Sequence, residues 1–189
     1  TFFLFLAFTI LFKIKKYGIN NKQLFLAGLC SGISFSIYYH QIIPIIFLGL
    51  YMLSFLRDKR IFTFIIGISL PVILVLFYNY ALFDSFLTTA YSHRLNQDVT
   101  NVVTQGFFGV VQPQLNAIYG ISFSPEKGYF TYMPIFLLSF YGLYRMFKHK
   151  KFVKEALLFL SIFIALFLFN SSLTDPLWNA NCSYGPRYL

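Results

Sequence analysis

Apolar residues fall into six blocks along the chain, separated by short basic turns and one long polar stretch. The blocks cover residues 2–12, 24–39, 42–56, 61–80, 129–147 and 156–169. An apolar block of about 20 residues is long enough to cross a bilayer as an α-helix. We therefore expect an all-α fold, a single polytopic transmembrane helical bundle of about six spans, with the first span truncated and the chain a piece of a longer protein.

Two of these blocks are short for a full crossing. Residues 24–39 and 42–56 would each form about 24 Å of helix at 1.5 Å per residue, against a hydrocarbon core of about 30 Å. The pair either crosses the membrane twice or forms a re-entrant hairpin that is shielded by protein. In both alternatives the beginning of the first block and the end of the second block lie on the same side of the membrane.

The long polar stretch, residues 81–128, is predicted to be a loop on the outer, non-cytoplasmic side of the membrane, and a second outer segment is predicted at residues 170–189. Within the loop, residues 83–91 place apolar side chains at helical spacing, with polar residues on the opposite face. This pattern predicts an amphipathic helix that lies in the membrane interface or packs on top of the bundle. We expect a loop at 96–114 and a turn-rich segment from Tyr119 to Tyr129.

The composition places the chain in the membrane class. Hydrophobic residues make up 58% of the sequence and charged residues 11%, whereas soluble domains carry roughly 25% charged residues. The net charge of +9 does not indicate a nucleic-acid partner, because the basic residues gather in the turns between the spans.

The distribution of the basic residues predicts the orientation. Twelve of them lie between alternate spans, and the positive-inside rule assigns these to the cytoplasmic side: Lys13, Lys15, Lys16, Lys22, Arg57, Lys59, Arg60, Arg145, Lys148, Lys150, Lys151 and Lys154. The other three, Arg94, Lys127 and Arg187, fall on the outer side together with most of the acidic residues.

Polar side chains that can bind an anionic head group are predicted at the outer interface. Arg187 is the strongest candidate, because a guanidinium group can donate two parallel hydrogen bonds to phosphate oxygens. The alternative is that Arg187, which follows Gly185 and Pro186, only anchors a turn. His40, His93 and His149 are far apart in sequence, so no metal site is predicted, and no cofactor motif is present.

Residues 119–134 (YGISFSPEKGYFTYMP) and 178–189 (WNANCSYGPRYL) carry a family resemblance. Both stretches resemble outer segments of the GT-C class of membrane glycosyltransferases, which includes protein mannosyltransferases and the aminoarabinose transferase that acts on lipid A. The second stretch, with its SYGPRYL run, carries most of the likeness. Asn179 and Ala180 depart from the pattern, because glycines are common at the corresponding positions of the family.

The resemblance implies transfer of a sugar from a polyprenyl-phosphate carrier to a glycan, lipid or protein acceptor, at the outer face of a bacterial inner membrane. The catalytic carboxylate of this family lies in an earlier outer loop, so we expect it upstream of this chain. A divalent metal assists some members, but the sequence identifies no ligands for one. The residues expected to bind the substrate are Arg187, Lys127, Arg94, His93, Glu126 and Tyr184.

Two other functions share the same pattern of spans. One is a flippase or transporter for a lipid-linked sugar or a polysaccharide, and the other is a non-catalytic membrane subunit. The chain has no acidic residue deep within an apolar block, which argues against an ion-coupled transporter. An upstream outer loop with an Asp or Glu would favour the transferase.

Overall fold

A computed structural model describes residues 1–86, 110–125 and 128–173 of the chain. Over these ranges the protein is all-helical, and its only β-type pairing is an isolated antiparallel bridge between Val110 and Leu173. The chain divides into two compact units, Thr1–Thr89 and Ala90–Leu189.

The described part of the first unit contains four α-helices. They are α1 (Phe2–Tyr17), α2 (Asn21–Ile37), α3 (Ile42–Leu53) and α4 (Ile61–Phe83). A 3₁₀ turn at Tyr39–Gln41 joins α2 to α3. Each helix is built from one of the apolar blocks, and α1 continues past its block through three lysines, whose positive charge is favourable near a helix C-terminus.

A tight turn reverses the chain between α1 and α2. Gly18 adopts a positive φ of 108°, a backbone conformation that glycine adopts without steric cost, and its N–H donates to the carbonyl of Ile14 at 3.0 Å. Asn20 caps α2 by accepting a hydrogen bond from the N–H of Lys22 at 3.0 Å. These two local signals place the end of α1 beside the start of α2.

Helices α2 and α4 make the most extensive contact among the described helix pairs. A Cβ on Gly28 would overlap the carbonyl oxygen of Phe64, and a Cβ on Gly32 would lie 2.6 Å from the carbonyl oxygen of Ile68. Conversely, a Cβ on Gly67 of α4 would overlap the carbonyl oxygen of Phe25. The two helices therefore approach backbone to backbone, as small residues four apart allow in membrane helices.

The same contact establishes the direction of the helices. Residue numbers rise together along the two partners, from Gly28 beside Phe64 to Gly32 beside Ile68, so α2 and α4 run parallel. At the far end of the contact, the hydroxyl of Ser36 lies 2.9 Å from the carbonyl oxygen of Gly32 and 3.4 Å from that of Pro71. Helix α4 continues through Pro71, which is buried against α2.

The described part of the second unit also contains four α-helices. They are α5 (Leu115–Phe123), α6 (Tyr129–Tyr132), α7 (Leu137–Lys148) and α8 (Val153–Ser171). Short 3₁₀ turns at Pro134–Phe136 and Lys150–Phe152 lead into α7 and α8. The 129–147 block is thus divided before Pro134, because proline restricts the preceding residue, Met133, to a non-helical conformation.

Several sequence predictions need correction. The predicted helix at 83–91 does not begin at Phe83, which is the last residue of α4; Asp84 follows in the left-handed conformation with φ 51°. Tyr119 and Gly120, predicted in a turn, lie within α5. Residues 87–91 and 96–109 lie outside the described residues.

Two of the described helices, α4 and α8, are long and apolar enough to cross a membrane. Only 17% of the most apolar 18-residue window of α4 and 22% of that of α8 are buried within the protein. The core helix of a soluble protein would be mostly buried, so this exposure favours lipid as the surrounding medium. Helix α3, with 12 residues, is too short to be counted with them.

Candidate functional site

All six predicted substrate-binding residues lie outside the described residues. They are His93 and Arg94 in the long loop, Glu126 and Lys127 between α5 and α6, and Tyr184 and Arg187 in the last segment. The nearest described residues of the second unit are 110–125 and 128–173, and they determine how the chain is held next to these positions.

The first family-like stretch begins in α5 and continues through a short turn into α6. Tyr119 and Gly120 belong to α5, and Gly120 is buried. The N–H of Gly128 donates to the carbonyl of Ser124 at 2.8 Å, which brings the end of α5 close to the start of α6. A Cβ on Gly128 would lie 2.6 Å from both the backbone nitrogen and the carbonyl oxygen of Ser124. The glycine of this motif is therefore required by the tightness of the turn.

Helix α5 packs against the C-terminal end of α8. The segment before α5 is attached there by two backbone hydrogen bonds, from Val111 N–H to the Ser172 carbonyl at 2.7 Å and from Gln114 N–H to the Ser171 carbonyl at 3.0 Å. Leu173, which bridges to Val110, is the last described residue before the second family-like stretch. The first stretch is thus anchored beside the C-terminal end of α8, and the second stretch begins a few residues later in the sequence, at residue 178.

A buried polar cluster lies at this junction. Asn170, Ser171 and Ser172, at the C-terminal end of α8, are all buried. The two serines at the end of α8 donate to the Leu168 carbonyl, at 2.9 Å from Ser171 Oγ and 2.7 Å from Ser172 Oγ. Among the described residues, no acceptor lies within hydrogen-bonding distance of Asn170 Nδ2, although the side chain is 1% exposed.

A buried amide without a partner is costly, by about 1–3 kcal/mol, so such groups in folded proteins call for an explanation. An amide nitrogen donates, and its natural partners are carbonyl, hydroxyl and phosphate oxygens. Sequence reasoning missed Asn170, which it treated only as the start of the outer segment. The available signal was a polar run, Asn170, Ser171 and Ser172, directly after an apolar helix.

The opposite end of α8 carries a buried acidic residue, Glu155, which is 2% exposed. It lies in the first turn of the helix, where the helix dipole stabilises negative charge. This position is at the edge of the apolar block rather than deep within it. The helix therefore has polar groups buried at both ends and an apolar middle.

An open apolar cavity of about 270 Å³ lies between α7 and α8. Aromatic rings surround it, with ring centroids 5.3 Å apart for Phe136 and Phe163 and 5.7 Å apart for Phe136 and Phe140. Four more residues of α7 complete its side of the lining: Ser139, Gly142, Leu143 and Met146. The cavity suits hydrocarbon rather than a polar ligand, because its walls are almost entirely apolar.

No metal site can be assembled from the part of the chain that the structure describes. Within that part, no three His, Cys, Asp or Glu side chains lie close enough together to hold an ion. The described residues therefore do not identify ligands for the divalent ion that assists some GT-C members. Comparison of the chain with protein-family models, curated proteins and solved structures finds no match.

Proposed function

We propose that this chain is part of the membrane region of a lipid-carrier-dependent glycosyltransferase with the GT-C architecture. The full-length enzyme transfers a sugar from a polyprenyl-phosphate carrier to an acceptor at the outer face of the membrane. The catalytic carboxylate comes from a segment upstream of this chain. In this multi-pass arrangement the basic turns face the cytoplasm.

The observation that carries the proposal is the contact between α5, which holds the start of the first family-like stretch, and the C-terminal end of α8. The segment before α5 is hydrogen-bonded to Ser171 and Ser172, which lie seven and six residues before the second stretch begins in the sequence. A membrane-length apolar helix, buried polar residues and the start of one motif-bearing segment adjoin there. This combination is what an enzyme needs if its substrate has a polar head and a hydrocarbon tail.

The chemistry of such a transfer assigns a role to a fixed cation. As the glycosidic bond to the carrier breaks, the polyprenyl phosphate leaving group gains negative charge, so a positioned guanidinium stabilises the transition state more than the ground state. Arg187 fills this role, with Lys127 and Arg94 as weaker partners. Asn170, whose Nδ2 has no hydrogen-bond partner among the described residues, donates an amide hydrogen to an oxygen of the bound sugar or phosphate.

Arg187 is tested by purified full-length protein with a short-chain polyprenyl-phosphate sugar as donor. Loss of a charge-assisted hydrogen bond costs roughly 1.5–3 kcal/mol, so Arg187→Ala should reduce turnover by about tenfold to a hundredfold. Arg187→Lys keeps the charge but loses the paired hydrogen bonds, so it should be a partial defect. Equal rates for all three proteins at equal folded fraction would leave Arg187 as a turn anchor.

Asn170 offers a second test in which stability and function move in opposite directions. Asn170→Leu removes a buried amide nitrogen that has no hydrogen-bond partner among the described residues, so the folded protein should be at least as stable as wild type. If the amide binds substrate, the same variant should raise the donor KM or lower kcat by about tenfold. Unchanged kinetics with increased stability would show that Asn170 is not part of the site. Ser139→Ala, an exposed change on α7, is the matched control.

The orientation is tested separately with single cysteines in intact cells. A cysteine at Lys59 or at Lys150 should be shielded from an impermeant thiol reagent, and one at Gln97 should be labelled. Of the two native cysteines, Cys30 is buried in α2, and Cys182, in the segment predicted on the outer side, is first replaced by serine. The reverse labelling pattern would contradict the orientation and, with it, an outer-face active site.

A transporter of lipid-linked sugar is the second candidate, and the buried Glu155 is the observation that favours it. Ionisable groups buried in membrane helices often mark ion or substrate pathways. Glu155→Gln should then abolish movement of a labelled lipid-linked sugar across proteoliposomes. A transferase predicts no such movement by the wild-type protein and an unchanged rate of sugar transfer in this variant.

A further inference from the structure

The basic turns of the first unit come together at one end of its helices. Helix α1 ends where α2 begins, and because α2 and α4 run parallel, the segment that leads into α4 lies at that same end. Seven basic residues from these three chain segments therefore share one end of the unit: Lys13, Lys15, Lys16, Lys22, Arg57, Lys59 and Arg60.

Little negative charge offsets this group. Asp58 is the one acidic residue in the described residues of that end, and its Oδ2 lies 3.4 Å from Nε of Arg60. The other acidic residue described in the unit, Asp84, follows the opposite end of α4. Lys13, Lys16, Lys22 and Lys59 are exposed, so their ammonium groups are accessible to an anion.

Tyrosine rings lie among the lysines. Lys15 Nζ lies 5.4 Å from the ring centroid of Tyr51, and Lys16 Nζ lies 4.8 Å from that of Tyr17. Both distances fall within the range of a cation–π interaction. Tyr17, the last residue of the apolar helix α1, is 75% exposed, and an exposed tyrosine at the end of an apolar helix is typical of the head-group region of a bilayer.

Beside the basic end, α4 exposes a hydrocarbon surface along its first turns. Phe62 is 65% exposed, and Ile65 and Ile66 are exposed as well. A ligand that contacts both features must carry an anionic group and a hydrocarbon chain. Free phosphate and nucleic acid match the charge but not the apolar wall.

We propose that the basic end of the first unit is a binding surface for an anionic phospholipid, with the phosphate among these lysines and the acyl chains along the first turns of α4. Clusters of four to eight basic residues directly next to membrane helices are the arrangement by which proteins bind anionic lipids. In the proposed orientation the lipid belongs to the cytoplasmic leaflet. The surface is independent of sugar transfer, so it stands or fails separately from the proposed activity.

The test uses the purified chain in a neutral detergent, titrated with dioctanoyl phosphatidylglycerol or dioctanoyl phosphatidylcholine. Native mass spectrometry counts the bound lipid, and the thermal midpoint reports stabilisation. Phosphatidylglycerol should bind at least about tenfold more tightly than phosphatidylcholine, and this preference should shrink when salt rises from about 0.05 M to about 0.5 M. Equal binding of the two lipids would overturn the proposal.

Two triple variants locate the surface. Lys16→Gln, Lys22→Gln and Lys59→Gln together change one exposed residue from each segment and should weaken phosphatidylglycerol binding by about tenfold or more. The control, Arg145→Gln, Lys148→Gln and Lys150→Gln, removes the same charge from exposed positions of the second unit and should retain most of the binding. An equal loss in both variants would show a general charge effect and would contradict a site on the first unit.

Inorganic phosphate is the last arm of the experiment. At the same molar concentration as the lipid it should neither raise the thermal midpoint nor displace bound phosphatidylglycerol, because it lacks the acyl chains that contact α4. Displacement by phosphate alone would identify the ligand as a free anion rather than a lipid. Wild-type protein suffices for this arm, so the result does not depend on the folding of any variant.

Discussion

The two units use different residues to hold their helices together. In the first unit, α2 and α4 touch through glycines, and a Cβ at Gly28 or Gly67 would overlap the backbone of the other helix. In the second unit, α7 and α8 meet through phenylalanine rings, and a cavity of about 270 Å³ remains between them. None of the described residues of α7 is buried.

The difference follows from side-chain size. Glycines let two helices approach until backbone atoms are in contact, which gives dense van der Waals packing where lipid supplies no hydrophobic driving force. Large rings keep helices apart and fill the space unevenly, so gaps remain that a hydrocarbon chain can enter. The first unit is built as a tight scaffold, and the second unit combines loose apolar packing with the polar junction at the end of α8.

The largest effect on stability is expected at Gly67, in the glycine contact between α2 and α4 of the first unit. Gly67→Ala puts a Cβ onto the Phe25 carbonyl oxygen, 2.9 Å from the Leu29 nitrogen and 3.0 Å from the Gly28 Cα, and backbone atoms cannot move aside as a flexible side chain can. We expect a loss of about 3 kcal/mol of unfolding free energy, measured by denaturant titration in detergent micelles. Gly49→Ala on α3 is the control, because a Cβ there meets nothing within 4 Å. Equal stability of the two variants would refute the close backbone contact.

The aromatic contact of the second unit should be weaker. Phe136 is half-buried and has ring neighbours at Tyr129, Phe140 and Phe163. Phe136→Ala should cost about 2 kcal/mol, because it removes several ring pairs worth about 0.5–1.5 kcal/mol each from a site that is only partly shielded. Ile135→Ala, at an exposed neighbour, should cost much less. If Phe136→Ala lost more unfolding free energy than Gly67→Ala, the aromatic contact of the second unit would contribute more to stability than the glycine contact of the first, contrary to this prediction.

A glycine of the second unit should behave in the opposite way from Gly67. Gly142 lies in α7 beside the cavity, and a Cβ there meets nothing within 4 Å. Gly142→Ala should therefore stabilise the protein by roughly 0.5–1 kcal/mol, because alanine loses less backbone entropy in a helix. The thermal midpoint measures the change, and a lower midpoint would mean that α7 and α8 approach more closely than this packing allows.

The smallest expected effect concerns pH and His40, in the turn between α2 and α3. Burial lowers the pKa of His40 below its ordinary value of 6.5, since the charged imidazolium is poorly solvated there. The unfolded chain then binds a proton at higher pH than the folded protein does, so stability falls as the pH drops through 6.5 and His40 has no such effect above about pH 7.5. His40→Gln should flatten this part of the pH profile of the thermal midpoint. An unchanged slope would assign the pH dependence to another group.

Sequence reasoning located the helices better than it located their ends. The 61–80 block became α4, which extends to Phe83 because no residue between Tyr80 and Asp84 opposes helix formation. The 129–147 block was divided, since Pro134 within an apolar run outweighs the hydropathy signal. Tyr119 and Gly120 were assigned to a turn from composition, whereas packing against α8 stabilises them as part of α5.

The sequence alone determined the all-helical class, the apolar blocks and the basic turns between them, because these depend on hydropathy and on local helix signals such as Gly18 and Asn20. Only the tertiary structure decided that α2 and α4 run parallel in backbone contact, that three basic segments share one end, and that Asn170 is buried beside α5. These features depend on contacts between residues distant in sequence. A single sequence does not specify which of its many apolar faces will pack together, because hydrophobic attraction is non-directional. The faces that do pack are selected by their complementary shape.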